Sequence, residues 1–115
     1  MTPFGDRVRA LRAERGVSLK DMAHALGVSS AYLSALEHGH RGRPTPGFVQ
    51  QVAAFFNLAW DDVDALKRLA TISDPRVTVD TAGLSPAATE LANRLAERIG
   101  TLDEEFIVAV LARLR

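Results

Sequence analysis

The sequence predicts an all-α protein: five short helices, a break, and then a C-terminal helical hairpin. Three observations lead there. Apolar residues recur at three- and four-residue spacing along most of the chain. Helix-start residues (Ser, Thr, Asp) and helix-stop glycines punctuate that pattern at short intervals. The alternation expected of a strand appears only once, in RVTVDT at residues 76–81. The chain has 115 residues, no cysteine, 47% apolar and 24% charged residues. This is the balance of an ordinary globular protein with one domain, or one small domain and an appendage. Disulfide stapling and cysteine-ligated zinc are excluded. No apolar run approaches the roughly 18 residues of a membrane-spanning helix. The N-terminal MTPFGDRVRALRAERG is charged and amphipathic, unlike a secretory signal, so the expected location is cytoplasmic.

Each element has a local reason. Phe4, Val8 and Leu11 share one helical face over residues 4–14, and Gly16 stops that helix. Ser18 with Asp21 opens a second, short helix carrying Met22, Ala23 and Leu26, and Gly27 ends it. Ser29 caps a third, with Leu33 and Leu36 inward and Gly39 as its stop. Residues 38–44, HGHRGRP, form a loop. Thr45 and Pro46 begin a fourth helix bearing Phe48, Val49, Val52, Ala53 and Phe56. A fifth spans about 60–70 with Trp60, Val63, Leu66, Leu69 and Ala70 inward. Residues 71–84 read as a linker, in which 76–81 would pair with a copy of itself across a dimer. Ser85-Pro86 opens a sixth helix with Leu91, Leu95 and Ile99. Gly100 breaks it, and Thr101 with Glu104 starts a seventh carrying Phe106, Val110, Leu111 and Leu114.

Residues 18–39 carry the functional information. Two short helices flank a tight Gly27-Val28-Ser29 turn. Ala23 is small where those helices cross, and Gly27 supplies the left-handed backbone of the turn. Val28, Leu33 and Leu36 anchor the second helix, which leaves the small residues Ser30, Ala31, Ser34 and Ala35 on its outer face. A slim exposed helix fits the major groove of B-DNA. The arrangement resembles the helix-turn-helix of Cro/cI-type regulators, the XRE family, from about Phe4 to Ala70. The resemblance is carried by Ala23, Gly27, Leu33, Leu36-Glu37 with Gly39, Arg12 with Gly16, and Arg43-Pro44.

That resemblance implies a five-helix repressor-type helix-turn-helix domain over 1–70, a linker over 71–84, and a helical dimerisation segment over 85–115. It implies that Ser30, Ala31, Ser34, Ala35 and the neighbouring His38 face base edges. None of the four helix residues is an Arg, Gln or Asn able to make a bidentate base contact, so readout rests on few contacts or on DNA shape. Phosphate or minor-groove contacts fall to Ser18, Lys20, Ser29, Tyr32, Arg41, Arg43 and Thr45, near helix N-termini. Tyr32 has a second reading, packing on the fourth helix, and the loop arginines a second one as a solvated basic loop. Arg12 and Glu37 match a family ion pair that sets the angle between the first and third helices.

Net charge is zero, but residues 1–45 hold seven Arg and Lys against four Asp and Glu, whereas residues 71–115 hold five against seven. His24, His38 and His40 have no further ligand at metal spacing, so no metal is expected. No catalytic triad, phosphate loop or paired-carboxylate motif appears, so no enzyme activity and no cofactor are expected. The tail cannot stand alone. Leu91, Leu95, Ile99, Phe106, Val110, Leu111 and Leu114 would pair with a second copy, which suits a two-fold operator. The expected function is a homodimeric, sequence-specific regulator, a repressor, acting on double-stranded DNA. The rivals are an antitoxin whose tail grips a protein partner, and an adaptor that has lost DNA binding.

Overall fold

Six of the seven α-helices begin on a side-chain oxygen that accepts a backbone N–H three residues ahead. Each such cap satisfies a donor that the helix cannot, worth about 1 kcal/mol. In the computed structural model, which describes residues 1–115, the helices are α1 (Pro3–Arg15), α2 (Leu19–Leu26), α3 (Ser30–Glu37), α4 (Pro46–Phe55), α5 (Trp60–Thr71), α6 (Pro86–Arg98) and α7 (Glu104–Leu114). A 3₁₀ turn, Ile99–Thr101, follows α6. The fold class is all-α, with no strand. The chain divides into two compact units, Met1–Val77 and Thr78–Arg115.

In the first unit α1 packs on α3 and α5, α2 on α3 and α4, and α4 on α5. The core where they meet comprises Phe4, Val8 and Leu11, Met22 and Ala23, Leu33, Val49, Val52, Ala53 and Phe56, and Leu66 and Ala70. Arg15 fastens the end of α1 to the end of α4. Its guanidinium donates to the Phe56 carbonyl and lies 5.6 Å from the Phe56 ring centroid. Gly5 is buried because α1 runs directly against the backbone of Glu37 at the end of α3. The Thr2 N–H donates to the Glu37 carbonyl at 2.9 Å, beside that contact.

Several details differ from the sequence reading. Trp60, expected inward, is 86% exposed. It is the first residue of α5, and a helical side chain leans toward the N-terminus, so Trp60 projects past the end of the packed face. The seventh helix is capped by Asp103, not Thr101. Thr101 belongs to the 3₁₀ turn, where its hydroxyl donates to the Arg98 carbonyl at 2.9 Å. The third helix ends at Glu37 and His38, before Gly39. Residues 76–81, read as linker, are irregular in the single chain, with Val77 and Val79 exposed. The first unit also continues past residue 70. Ser73 is buried, accepting from the Phe4 N–H at 2.9 Å and donating to the Leu69 carbonyl at 2.6 Å.

In the second unit neither α6 nor α7 has a buried residue. Leu91 is 61% exposed and Phe106 50%, and Leu95, Ile99, Leu111 and Leu114 are exposed as well, with Val110 half-buried. A concavity of about 470 Å³ lies between the two helices, lined by Leu91, Leu95, Leu102 and Phe106 with Arg94 and Arg98.

Candidate nucleic-acid interface

The site is built around α3. Its N-cap is Ser29, whose hydroxyl accepts the Tyr32 N–H at 3.0 Å. The turn before it depends on Gly27, at φ 72°, a left-handed conformation that costs glycine nothing. Leu33 and Leu36 lock one face into the domain interior. The opposite face is then fixed by periodicity: Ala31 is exposed, and Ser30, Ser34 and Ala35 are half-buried but open to solvent. No buried polar side-chain atom in the molecule lacks a partner.

Arg12 and Glu37 hold the pitch of α3. Arg12 donates two parallel bonds to the Glu37 carboxylate, Nη1 to Oε2 and Nη2 to Oε1, the latter at 3.0 Å. Arg12 Nη1 also lies 3.6 Å from the Met22 sulfur. Arg12 is 7% exposed and Glu37 2%. A forked pair of this kind specifies direction as well as distance, so it orients α3 against α1.

Two concavities flank α3. One, about 300 Å³, lies between the starts of α2 and α3 and is lined by Lys20, Asp21, Ala23, His24, Val28, Ser29 and Ser30. The other, about 460 Å³, separates α3 from α1 and the start of α2. Arg9, Arg12, Leu19, Ser34, Glu37 and His38 line it, with Met1 at its edge. Base-facing candidates Ser30, Ser34 and His38 thus border hollows that also hold Lys20 and Arg9. Ser18, Ser29 and Thr45 each spend a lone pair on a helix N–H. Their O–H groups remain free to donate to a phosphate oxygen.

The loop after α3 is cationic and exposed. His38 Nδ1 lies 2.8 Å from the Ser34 carbonyl. A carbonyl only accepts, so Nδ1 is the donor in this bond. The His38 and His40 rings stack with centroids 6.5 Å apart. Arg41 lies over the Tyr32 ring at 5.1 Å, and Tyr32 meets Phe48 of α4 edge-on at 6.4 Å. Tyr32 is therefore a half-buried platform between α4 and an arginine, which is the packing on the fourth helix given as its second reading. Arg43 is exposed and enters no ion pair.

Sequence reasoning did not single out Arg9 or Lys67, two exposed cations that line hollows of this unit. Arg9 was within reach: it precedes Arg12 by three residues and so shares its helix face. Lys67 had no local signal, because only packing of α4 on α5 brings it beside Arg43.

A family profile described as a helix-turn-helix domain matches residues 3–66. The HTH-type transcriptional regulator RghRB of Bacillus subtilis (strain 168), itself uncharacterized, is 35% identical over 65 residues, 56% of this chain and 47% of the relative. The HTH-type transcriptional repressor RghR of the same organism is 36% identical over 61 residues, 53% of this chain and 45% of that protein. The chain thus spans about half the length of these curated relatives. A solved SinR protein/SinI protein complex aligns at 24% identity and a TM-score of 0.47, over 96% of this chain and 93% of the other.

Proposed function

Since the chain belongs to the helix-turn-helix domain family, we propose that it binds double-stranded DNA through α3 and regulates transcription, as a repressor, from a two-fold operator. The observation that carries this reading is the division of α3 into a buried face of Leu33 and Leu36 and an open face of small residues, Ser30, Ala31, Ser34 and Ala35. Small side chains let the backbone approach base edges closely. Lys20, Arg41 and Arg43, with Ser18, Ser29 and Thr45, supply phosphate contacts on either side, and Arg12 with Glu37 sets the docking angle. Two relatives named as HTH-type transcriptional regulators, one of them a repressor, support the assignment.

Residues 85–115 form the dimerisation segment on this reading. Leu91, Leu95, Ile99, Phe106, Leu111 and Leu114 are all exposed, and a cluster of large apolar side chains in water marks a surface that a partner covers. A second copy covering α6 and α7 would bury it and pair two recognition helices.

Selection of bound fragments from random duplex DNA tests the proposal, with affinity then measured by fluorescence anisotropy. A recovered motif with half-sites about one helical turn apart is the expected result. Ser34→Glu should abolish duplex binding with an unchanged melting temperature, because it places a carboxylate against base edges and phosphates. No duplex binding by the wild-type chain even at low salt would favour the adaptor reading instead. The double substitution Leu91→Glu with Phe106→Glu should convert a dimer to a monomer in sedimentation equilibrium.

A further inference from the structure

We propose that the crease between the start of α4 and the end of α5 binds a small organic anion, a monocarboxylate with a compact apolar body, and that its occupation opposes DNA binding. The second half of this statement rests on the DNA-binding reading; the first does not. The crease encloses about 240 Å³ between Arg43 and Pro44 of the loop, Pro46 and Val49 of α4, and Lys67, Ala70 and Thr71 of α5. Its floor is apolar, with Pro44, Val49 and Ala70 buried and Pro46 forming a wall. Its rim is cationic. Arg43 and Lys67 are exposed, neither lies within ion-pair distance of a carboxylate, and no acidic residue lines the hollow. The Thr71 hydroxyl donates to the Arg68 carbonyl at 2.6 Å and keeps its lone pairs.

These features select a ligand class. Two unpaired cations lining one hollow attract an anion, and the guanidinium fork of Arg43 matches a planar carboxylate. The apolar floor gains nothing from a bare inorganic anion but removes a hydrocarbon body from water. The volume falls below the roughly 300–1,000 Å³ of pockets for drug-sized molecules, which limits the body to about one small ring or a short branched chain. Arg43 also sits in the loop assigned to the DNA backbone. A carboxylate held on Arg43 takes that side chain from the phosphates, so anion and duplex compete, and by linkage each lowers the other's affinity by the same factor.

Benzoate titrated into the full chain, labelled with ¹⁵N, tests the site, with benzamide as a neutral analogue of the same shape. Benzoate should give saturable amide shifts at Val49, Ala70 and Thr71 in the low millimolar range, about what a ligand of its size can supply. Lys67→Ala should weaken it about tenfold through loss of one charge-assisted contact. Equal shifts with benzamide, or shifts spread over every surface cation, would overturn the site. A duplex titration at matched ionic strength then tests competition. Benzoate should weaken duplex binding of the wild-type chain, and the Lys67→Ala chain should need about tenfold more of it for the same effect. Benzoate shifts with unchanged duplex affinity overturn the competition alone, as does a wild-type chain that binds no duplex, while the amide shifts still report the crease. Loss of duplex binding in Lys67→Ala without any benzoate site in the wild type would assign both cations to phosphates and overturn the proposal.

Discussion

Gly5→Ala probes how α1 is seated on α3. Gly5 is buried in the first turn of α1, and a methyl group placed on it meets the Glu37 carbonyl oxygen at 2.2 Å and the Glu37 carbonyl carbon and Cα at 2.7 Å. All three are backbone atoms, so no flexible side chain can give way. Restoring an ordinary 3.4 Å contact requires the two helices to part by about 1.2 Å. That movement stretches the 2.9 Å bond from the Thr2 N–H to the Glu37 carbonyl beyond useful range. Overpacking costs about 1–3 kcal/mol. The lost hydrogen bond adds about 1 kcal/mol, and the better helix propensity of alanine returns about the same. The net expectation is destabilisation by about 2 kcal/mol, or a fall in melting temperature of roughly 10 °C. Gly47→Ala is the matched control. It lies in the first turn of α4 with nothing within 4 Å, and the substitution should stabilise by about 0.5 kcal/mol. Urea unfolding followed by far-UV circular dichroism reads both variants. A Gly5→Ala protein as stable as wild type, or an equal response at the two glycines, would refute the steric argument.

Other substitutions separate packing from charge. Glu37→Ala leaves the Arg12 guanidinium buried without its partner and should cost about 3–5 kcal/mol, while Arg12→Met combined with Glu37→Leu should recover most of that. Equal unfolding midpoints for the single and double variants would contradict it. Ser73→Ala orphans the buried Phe4 N–H and should cost about 1–3 kcal/mol in a thermal melt; an unchanged melt would mean that the residues after α5 are not needed to seat α1. Trp60→Ala should alter stability by less than about 0.5 kcal/mol. As Trp60 is the only tryptophan and already faces water, its emission maximum should scarcely move when the wild-type chain unfolds.

What the sequence made legible was local. A capping hydroxyl acts on an N–H three residues away, so Ser18, Ser29, Thr45 and Ser85 announce their helices without reference to the rest of the chain. The start of α7 was misread because two candidates compete within three residues. Asp103 prevails because its backbone is extended, φ −75° and ψ 157°, as a cap requires, whereas Thr101 is still in the turn after α6. The small outer face of α3 was legible for the same local reason, since periodicity alone assigns it once Leu33 and Leu36 are inward. The Arg12–Glu37 pairing had no such signal: 25 positions separate the partners, and only resemblance suggested it. Gly5, Ser73 and Lys67 escaped because each matters through a neighbour that tertiary packing brings up, namely the Glu37 backbone, the Phe4 N–H and Arg43.

On the proposed reading, a neutral chain with few base contacts must gain affinity by doubling its phosphate contacts, and salt dependence measures that doubling. One copy offers three cations assigned to phosphates: Lys20, Arg41 and Arg43, all exposed. Each phosphate neutralised contributes about −0.9 to the slope of log affinity against log salt. A single copy therefore predicts a slope of roughly −2.7, and a pair on two half-sites roughly −5.4. Between 50 and 200 mM salt, about the range over which such proteins are compared, these slopes mean losses of roughly 40-fold and roughly 2,000-fold. Arg43→Ala should flatten the slope by about one unit per copy, so by about two in a dimer. The Leu91→Glu, Phe106→Glu chain should show the shallow slope whatever the operator. If both chains give the same slope, then either the tail does not pair the two domains or only one of them touches DNA, and dimerisation would have to be assigned to something other than operator binding.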